Sequence, residues 1–270
     1  VLAVRCDRHG GVWLGTWRGA SHFDGERFSN FTTEDGLLSD FILGIEVDEE
    51  GVLWFATEGG LCRFDDDRLR VLSSRHGLAH TVVSMTCTTQ GEMWFGTELG
   101  VYRHVGGPLT HFASKQGVVG ERAFSITDSA AGVLCGTESG ICRFTGERFV
   151  ADEEIRGNYI FCIFHDRDGV RWVGSTAGVT RHDAEGVTSF TREQGLADDS
   201  VRAIGQDREG LLWFGTVNGL SSYDGTRFHT YDTQDGLVHN RVFAIELDAD
   251  GCLWFATGAG LGRFDGRDFS

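Results

Sequence analysis

A seven-fold internal repeat runs through this 270-residue chain and leaves few architectures open to it. The unit is plainest in the stretch LLWFGTVNGLSSYDGTRF that starts at Leu211. It returns as VWLGTWRGASHFDGERF from Val12, LWFATEGGLCRFDDDRL from Leu53, MWFGTELGVYRHVGGPL from Met93, LCGTESGICRFTGERF from Leu134, RWVGSTAGVTRHDAEGV from Arg171 and LWFATGAGLGRFDGRDF from Leu253. The hydroxyl residue after the aromatic pair marks the register. It falls at Thr16, Thr57, Thr97, Thr137, Ser175, Thr216 and Thr257, with successive spacings of 41, 40, 40, 38, 41 and 41. Copies at that period cover essentially the whole chain, which reads as one domain over residues 1–270.

Within a copy, turn chemistry separates four short runs of strand-forming residues. In the sixth these are VRAIGQD, LLWFGT, GLSSYD and RFHTYDT, each near six residues, with no sustained helical period. The Asp-Gly steps at Asp24, Asp224 and Asp265 predict two-residue hairpins, since both central positions tolerate positive φ. The run LLWFGT is apolar without alternation, so both of its faces are covered. A doubly covered, four-stranded antiparallel sheet repeated seven times predicts an all-β fold, a seven-bladed β-propeller. Trp13, Trp54, Trp94, Trp172, Trp213 and Trp254 then belong to packing between blades. So does the ring at Phe23, Phe64, Phe144, Tyr223 and Phe264, replaced by His104 and His182. The fourth copy departs most, with Leu134-Cys135 in place of Leu-Trp-Phe, and the seventh stops soon after its outer strand begins.

A formal charge of −16 argues against nucleic acid and anionic lipid surfaces as partners. No apolar run reaches the roughly 20 residues of a membrane span, and the first residues lack the apolar core of a signal peptide. The chain begins at Val1, which suggests a piece of a larger protein. Seven cysteines, an odd number without a CxxC pair, argue against a disulfide framework. Most replace apolar strand residues and read as buried free thiols, which leans toward a reducing, cytoplasmic setting.

The sixth copy, VRAIGQDREGLLWFGTVNGLSSYDG, resembles the two-component regulator propeller repeat in its V-x-x-I, D-x-x-G-x-L-W-x-G-T and G-L-x-x-Y-D elements. The other copies match recognisably. The resemblance implies a non-catalytic, ligand-binding sensor region of a bacterial hybrid histidine kinase or related regulator, periplasmic, with carbohydrate among its ligands. Two other classes stay open. One is a protein-interaction scaffold. The other is an enzyme similar to the streptogramin lyases, seven-bladed propellers with a related Trp-Phe strand.

If the repeat is scaffold, function lies where copies differ and loops converge. Second-to-third strand turns and blade-to-blade crossovers share one face. The first turn position carries Trp17, Glu58, Glu98, Glu138, Thr176, Val217 and Gly258. Trp17, followed by Arg18, suits stacking on a sugar ring. In the sixth copy Val217 and Asn218 take those places. The crossovers add His80, Arg122 and Arg241 as ligand contacts. Asp40, Asn158, Asp199 and Asn240 there read as caps of their own turns. The expected ligand-binding set is therefore Trp17, Arg18, Glu58, His80, Glu98, Arg122, Glu138, Asn218 and Arg241, with an oligosaccharide, another small molecule or a protein as partner. His80 with Glu58 or Glu98 is the pair an enzyme would use. No cofactor motif is present. Asp166 and Asp248 lack the closing Glu of a calcium loop, having Ala177 and Ala259 at position twelve, and read as hairpin turns. His76 and His80 flank Gly77 in a loop and do not read as a zinc pair.

Overall fold

The structure, a computed structural model, describes residues 1–65, 68–78 and 81–270. Among them the chain forms seven antiparallel sheets and no α-helix, the arrangement of a seven-bladed β-propeller. Six sheets have four strands and the seventh has three. In the sixth repeat, Val201–Gln206, Leu212–Thr216, Gly219–Tyr223 and Phe228–Tyr231 pair in succession. The two middle strands are buried along their whole length, as the unbroken apolar run requires, while the outer strand is half-buried at its ends and exposed between them. In the seventh repeat the outer strand is a single bridge between Phe264 and Phe269. Contacts gather the chain into two compact units, Asp7–Ile160 and Val1–Cys6 with Phe161–Ser270.

One carboxylate organises most repeats. Asp207 accepts the Leu211 amide on Oδ1 and the Trp213 indole Nε1–H on Oδ2, both at 2.8 Å. Asp48 holds the Val52 amide and the Trp54 indole in the same way, each at 2.8 Å, and Asp248 holds Cys252 and Trp254 with equal distances. Asp166 does so for Val170 and Trp172, and Asp7 for Gly11 and Trp13. Asp166 and Asp248 are thus hairpin-turn residues, and their second oxygen has a further task in fixing an indole. The third repeat splits the task. Thr88 Oγ1 accepts the Glu92 amide and the Glu92 carboxylate takes the Trp94 indole at 3.0 Å.

The fixed indoles pack onto the following repeat. In the unit Asp7–Ile160, Trp13 lies 5.5 Å from Phe55 and 5.8 Å from Phe64, Trp54 lies 5.7 Å from Phe95, and Trp94 lies 4.8 Å from Phe144. In the other unit, Trp172 meets Phe214 at 5.6 Å and Trp213 meets Phe264 at 5.1 Å. Such aromatic pairs contribute about 0.5–1.5 kcal/mol each beyond the area they bury. The amino-terminal strand Ala3–Cys6 belongs to the same unit as the seventh repeat, and the Val1 ammonium donates to the Thr257 carbonyl at 3.1 Å.

Two expectations need correction. The Asp-Gly steps open four-residue connections, because Phe23 pairs with Phe28 and Tyr223 with Phe228. Asp24 and Asp224 each accept the amides two and three residues ahead, which leaves positive φ to Gly25 and Gly225. The thiols also carry no information on compartment. All seven are free, four are buried and three half-buried, and a small apolar side chain packs alike in either setting.

The clamp predicts the cost of its loss. Asp207→Ala leaves the buried Trp213 Nε1–H without an acceptor and is expected to destabilise the fold by about 2–4 kcal/mol in urea unfolding. In a Trp213→Phe background the same change should cost clearly less. An equal cost in both backgrounds would show that the indole bond contributes nothing.

Candidate functional site

The second-to-third strand turn is held by the register-marking hydroxyl. Thr216 Oγ1 donates to the Gly219 carbonyl at 2.8 Å and accepts the Asn218 amide at 3.1 Å. Thr16, Thr57, Thr97, Thr137, Ser175 and Thr257 repeat this pair of bonds, with carbonyl distances of 2.8–3.2 Å. The glycine that follows donates to the crossover. Gly178 bonds the Asp199 carbonyl and Gly219 the Asn240 carbonyl, both at 2.7 Å. At Gly178, with φ of 98°, a Cβ would strike the Phe190 carbonyl oxygen. Crossover carboxyls complete the frame. Asp40, Asp199 and Asn240 accept the amides of Thr33, Arg192 and Thr233 at 2.7–3.0 Å, so these three are caps, as their residue types suggest. Asn158 is exposed.

In the unit Asp7–Ile160 this frame presents most of the expected site. Trp17 is 65% exposed and stands edge-on to Phe41, with ring centroids 4.7 Å apart. Arg18 beside it is exposed, and its amide is tied to Thr16. Glu58 is exposed, and its carbonyl accepts the Thr81 hydroxyl at 3.3 Å. Glu98 pairs with Arg122 at 2.5 Å. Glu138 turns to the same crossover and accepts the amides of Glu121 and Arg122 at 2.5 and 2.9 Å. The structure therefore brings Glu98, Arg122 and Glu138 together. It makes Glu138 a structural clamp as much as a free carboxylate. Beside them a cleft of about 280 Å³ is lined by Leu99, Gly100, His111, Ala113, Ser114, Gly120 and Glu121. His80 lies outside the described residues. His76 Nδ1 accepts the Ser73 amide at 3.2 Å and so caps its own turn.

The other unit holds Asn218 and Arg241, and both are exposed. Val217 is half-buried, and its amide donates to the Ser200 carbonyl at 3.2 Å. The Arg241 amide donates to His239 Nδ1 at 2.9 Å. Arg202, missed by the sequence reading, lies near Arg241. Burial pushes its guanidinium pKa down, and the positive charge of Arg241 pushes it further. Its carbon centre sits 3.7 Å over the Phe161 ring. Next to Phe161, burial drives the Cys162 thiol up to about 12, which keeps it neutral.

A recurrent bulge explains how such a residue is presented. Register shifts skip Leu43, Val83, Phe124, Arg202 and Phe243, the second residue of the inner strand in five repeats. A bulged residue is re-aimed relative to its neighbours. The signal was present in the sequence, because in that column Arg202 is the charged member among Leu2, Leu43, Val83, Phe124, Phe161 and Phe243. Among the described residues, no group of three or more His, Cys, Asp or Glu side chains could hold a metal ion.

Residues 36–59, 195–218 and 236–259 match the profile of the two component regulator propeller. The chain carries two component regulator propeller repeats. Each matched regulator-propeller segment runs from the Gly-Leu step through the crossover, the bulged strand and the Asp–Trp clamp to the turn that bears the candidate residues. No curated protein matches the chain. Among solved structures, the extracellular domain of a B. thetaiotaomicron protein described as a hybrid two component system matches over 97% of this chain, with 21% identity and a TM-score of 0.82. This chain covers 38% of that one. Virginiamycin B lyase from Staphylococcus aureus matches over 96% of this chain and 92% of its own, with 14% identity and a TM-score of 0.77. At such identities the likeness is one of fold.

Both members of the Glu98–Arg122 pair are well exposed, at 42% and 54%. A double-mutant cycle of Glu98→Gln and Arg122→Gln is expected to give a coupling below about 1 kcal/mol in urea unfolding. Glu138→Ala, which frees two crossover amides, should cost about 1–2 kcal/mol and speed hydrogen exchange at Glu121 and Arg122. The opposite ranking would mean that the ion pair holds the crossover.

Proposed function

We propose that this chain is a non-catalytic recognition propeller, the ligand-binding sensor region of an extracytoplasmic bacterial signalling protein. The observation that carries the proposal is Trp17, an indole 65% exposed on a turn locked by Thr16 and braced edge-on by Phe41. A rigid exposed indole loses little entropy when a ligand stacks on it. A sugar ring, with one apolar face and a polar rim, suits an indole flanked on the next repeats by Glu58, Glu98 and Arg122. The regulator-propeller repeats and the extracellular hybrid two component neighbour support the signalling role and the compartment. The likeness to virginiamycin B lyase extends to fold alone. The acid–base pair an enzyme would need gains no support, since Glu98 is engaged by Arg122 and His80 is outside the described residues.

Calorimetric titration of neutral oligosaccharides tests the reading. At least one should bind, and Trp17→Ala should weaken it by about tenfold, the loss of roughly one stacking contact. Unchanged heats for every binder would remove Trp17 from the site. Turnover of a streptogramin, detected by mass spectrometry, would replace recognition with lyase chemistry.

A further inference from the structure

The geometry points to a second recognition position, in the unit of Val1–Cys6 and Phe161–Ser270, where Arg202 and Arg241 receive a small carboxylate-bearing ligand. This rests on the reading of the chain as a recognition propeller. Arg202 replaces an apolar residue at a bulge, its guanidinium is laid on the Phe161 ring at 3.7 Å, and its Nε is buried with no hydrogen-bond partner. An unsatisfied buried donor on a cation carries a desolvation cost that a ligand oxygen would relieve.

Nothing nearby neutralises the charge. Among the described residues no carboxylate lies within ion-pair distance of Arg202 or Arg241, in a chain whose formal charge is −16. The carboxylates of the preceding crossover are turned to the backbone. Asp198 accepts the Ser200 amide at 2.9 Å and Asp199 the Arg192 amide at 2.8 Å. Cys162 is a neutral thiol, and the turn positions of this unit are the uncharged Thr176, Val217 and Gly258. Among charges, the like charge of Arg241 acts most on Arg202. Two guanidinium groups with free donors favour a planar carboxylate, which can accept from both.

Glucuronate and glucose form a matched pair of probes, identical in ring and different in one charge. Calorimetry on the whole chain at low salt should show glucuronate binding, with affinity falling as salt rises, and no comparable heat from glucose. Arg202→Gln and Arg241→Gln should each weaken glucuronate at least about tenfold, and Arg202→Lys should restore part of the loss. Arg241 is exposed, so its variant tests the idea even if Arg202→Gln unfolds, which thermal melting would reveal. Equal binding of the two sugars, affinity unmoved by both glutamine variants, or no glucuronate binding to the native chain would each overturn the assignment. A neutral glycan lost in Trp17→Ala with no glucuronate binding would leave the recognition reading standing and remove only this position. Glucuronate held through Arg202 with no ligand sensitive to Trp17 would keep this position and remove Trp17 as the observation that carries the proposed function.

Discussion

Everything in this propeller leans on the bond from an aspartate to an indole six residues ahead. One oxygen of Asp207 closes the hairpin by accepting Leu211, and the other fixes Trp213, whose ring then packs on Phe264 of the next repeat. A single carboxylate thus couples a local turn to inter-repeat packing, two levels of structure that most folds satisfy with separate residues. Two repeats do without it. The third repeat divides the task between Thr88 and Glu92, and the fourth has Ser129 and Cys135, with no indole to hold. A cleft of about 550 Å³ opens there, lined by Thr88, Glu92, Trp94, Ser129 and Phe144 among others.

The second layer of constraint is backbone satisfaction at the crossover end. A threonine hydroxyl holds the turn, a glycine amide ties turn to crossover, and Asp40, Asp199 or Asn240 caps the outer connection. With those groups satisfied by recurring elements of the repeat, the two turn positions and the bulged residue are left out of the frame in most copies, Glu138 being the exception that braces its crossover. Outside that exception the frame sets no residue type at these places. That freedom is why Trp17, Glu98 and Arg202 differ between copies while Thr16, Thr97 and Thr216 do not.

This division also explains what could be read from sequence. The blade count, the buried middle strand, the packing role of the tryptophans and the capping role of Asp40 followed from periodicity, because a period reports what every copy needs. The Asp-Gly turns were misread because their residue type suits two loop lengths, and only the pairing of Phe23 with Phe28 decides between them. The Glu98–Arg122 pair joins a turn to the crossover that follows it, with Glu138 reaching back to the same crossover. That geometry depends on sheet twist and blade spacing, which no local pattern encodes. Arg202 escaped notice for a different reason. The turn column varies in nearly every copy, whereas the bulge column of the inner strand carries a single break from apolar residues.

Symmetry breaking in aligned columns is therefore the most direct route from repeat to function. At the first turn position, Glu58, Glu98 and Glu138 give the unit Asp7–Ile160 an acidic series, and the other unit offers Thr176, Val217 and Gly258. In the bulge column the bias is opposite, with the cation Arg202 among apolar residues. Neither bias is required by the repeat, since the same scaffold tolerates small and uncharged residues at these places in other copies. Burial and the like charge of Arg241 both work against the charge of Arg202, and hydrophobic replacement there would match the neighbouring blades. A charge kept against that gradient is best explained by a charge that it meets from solution.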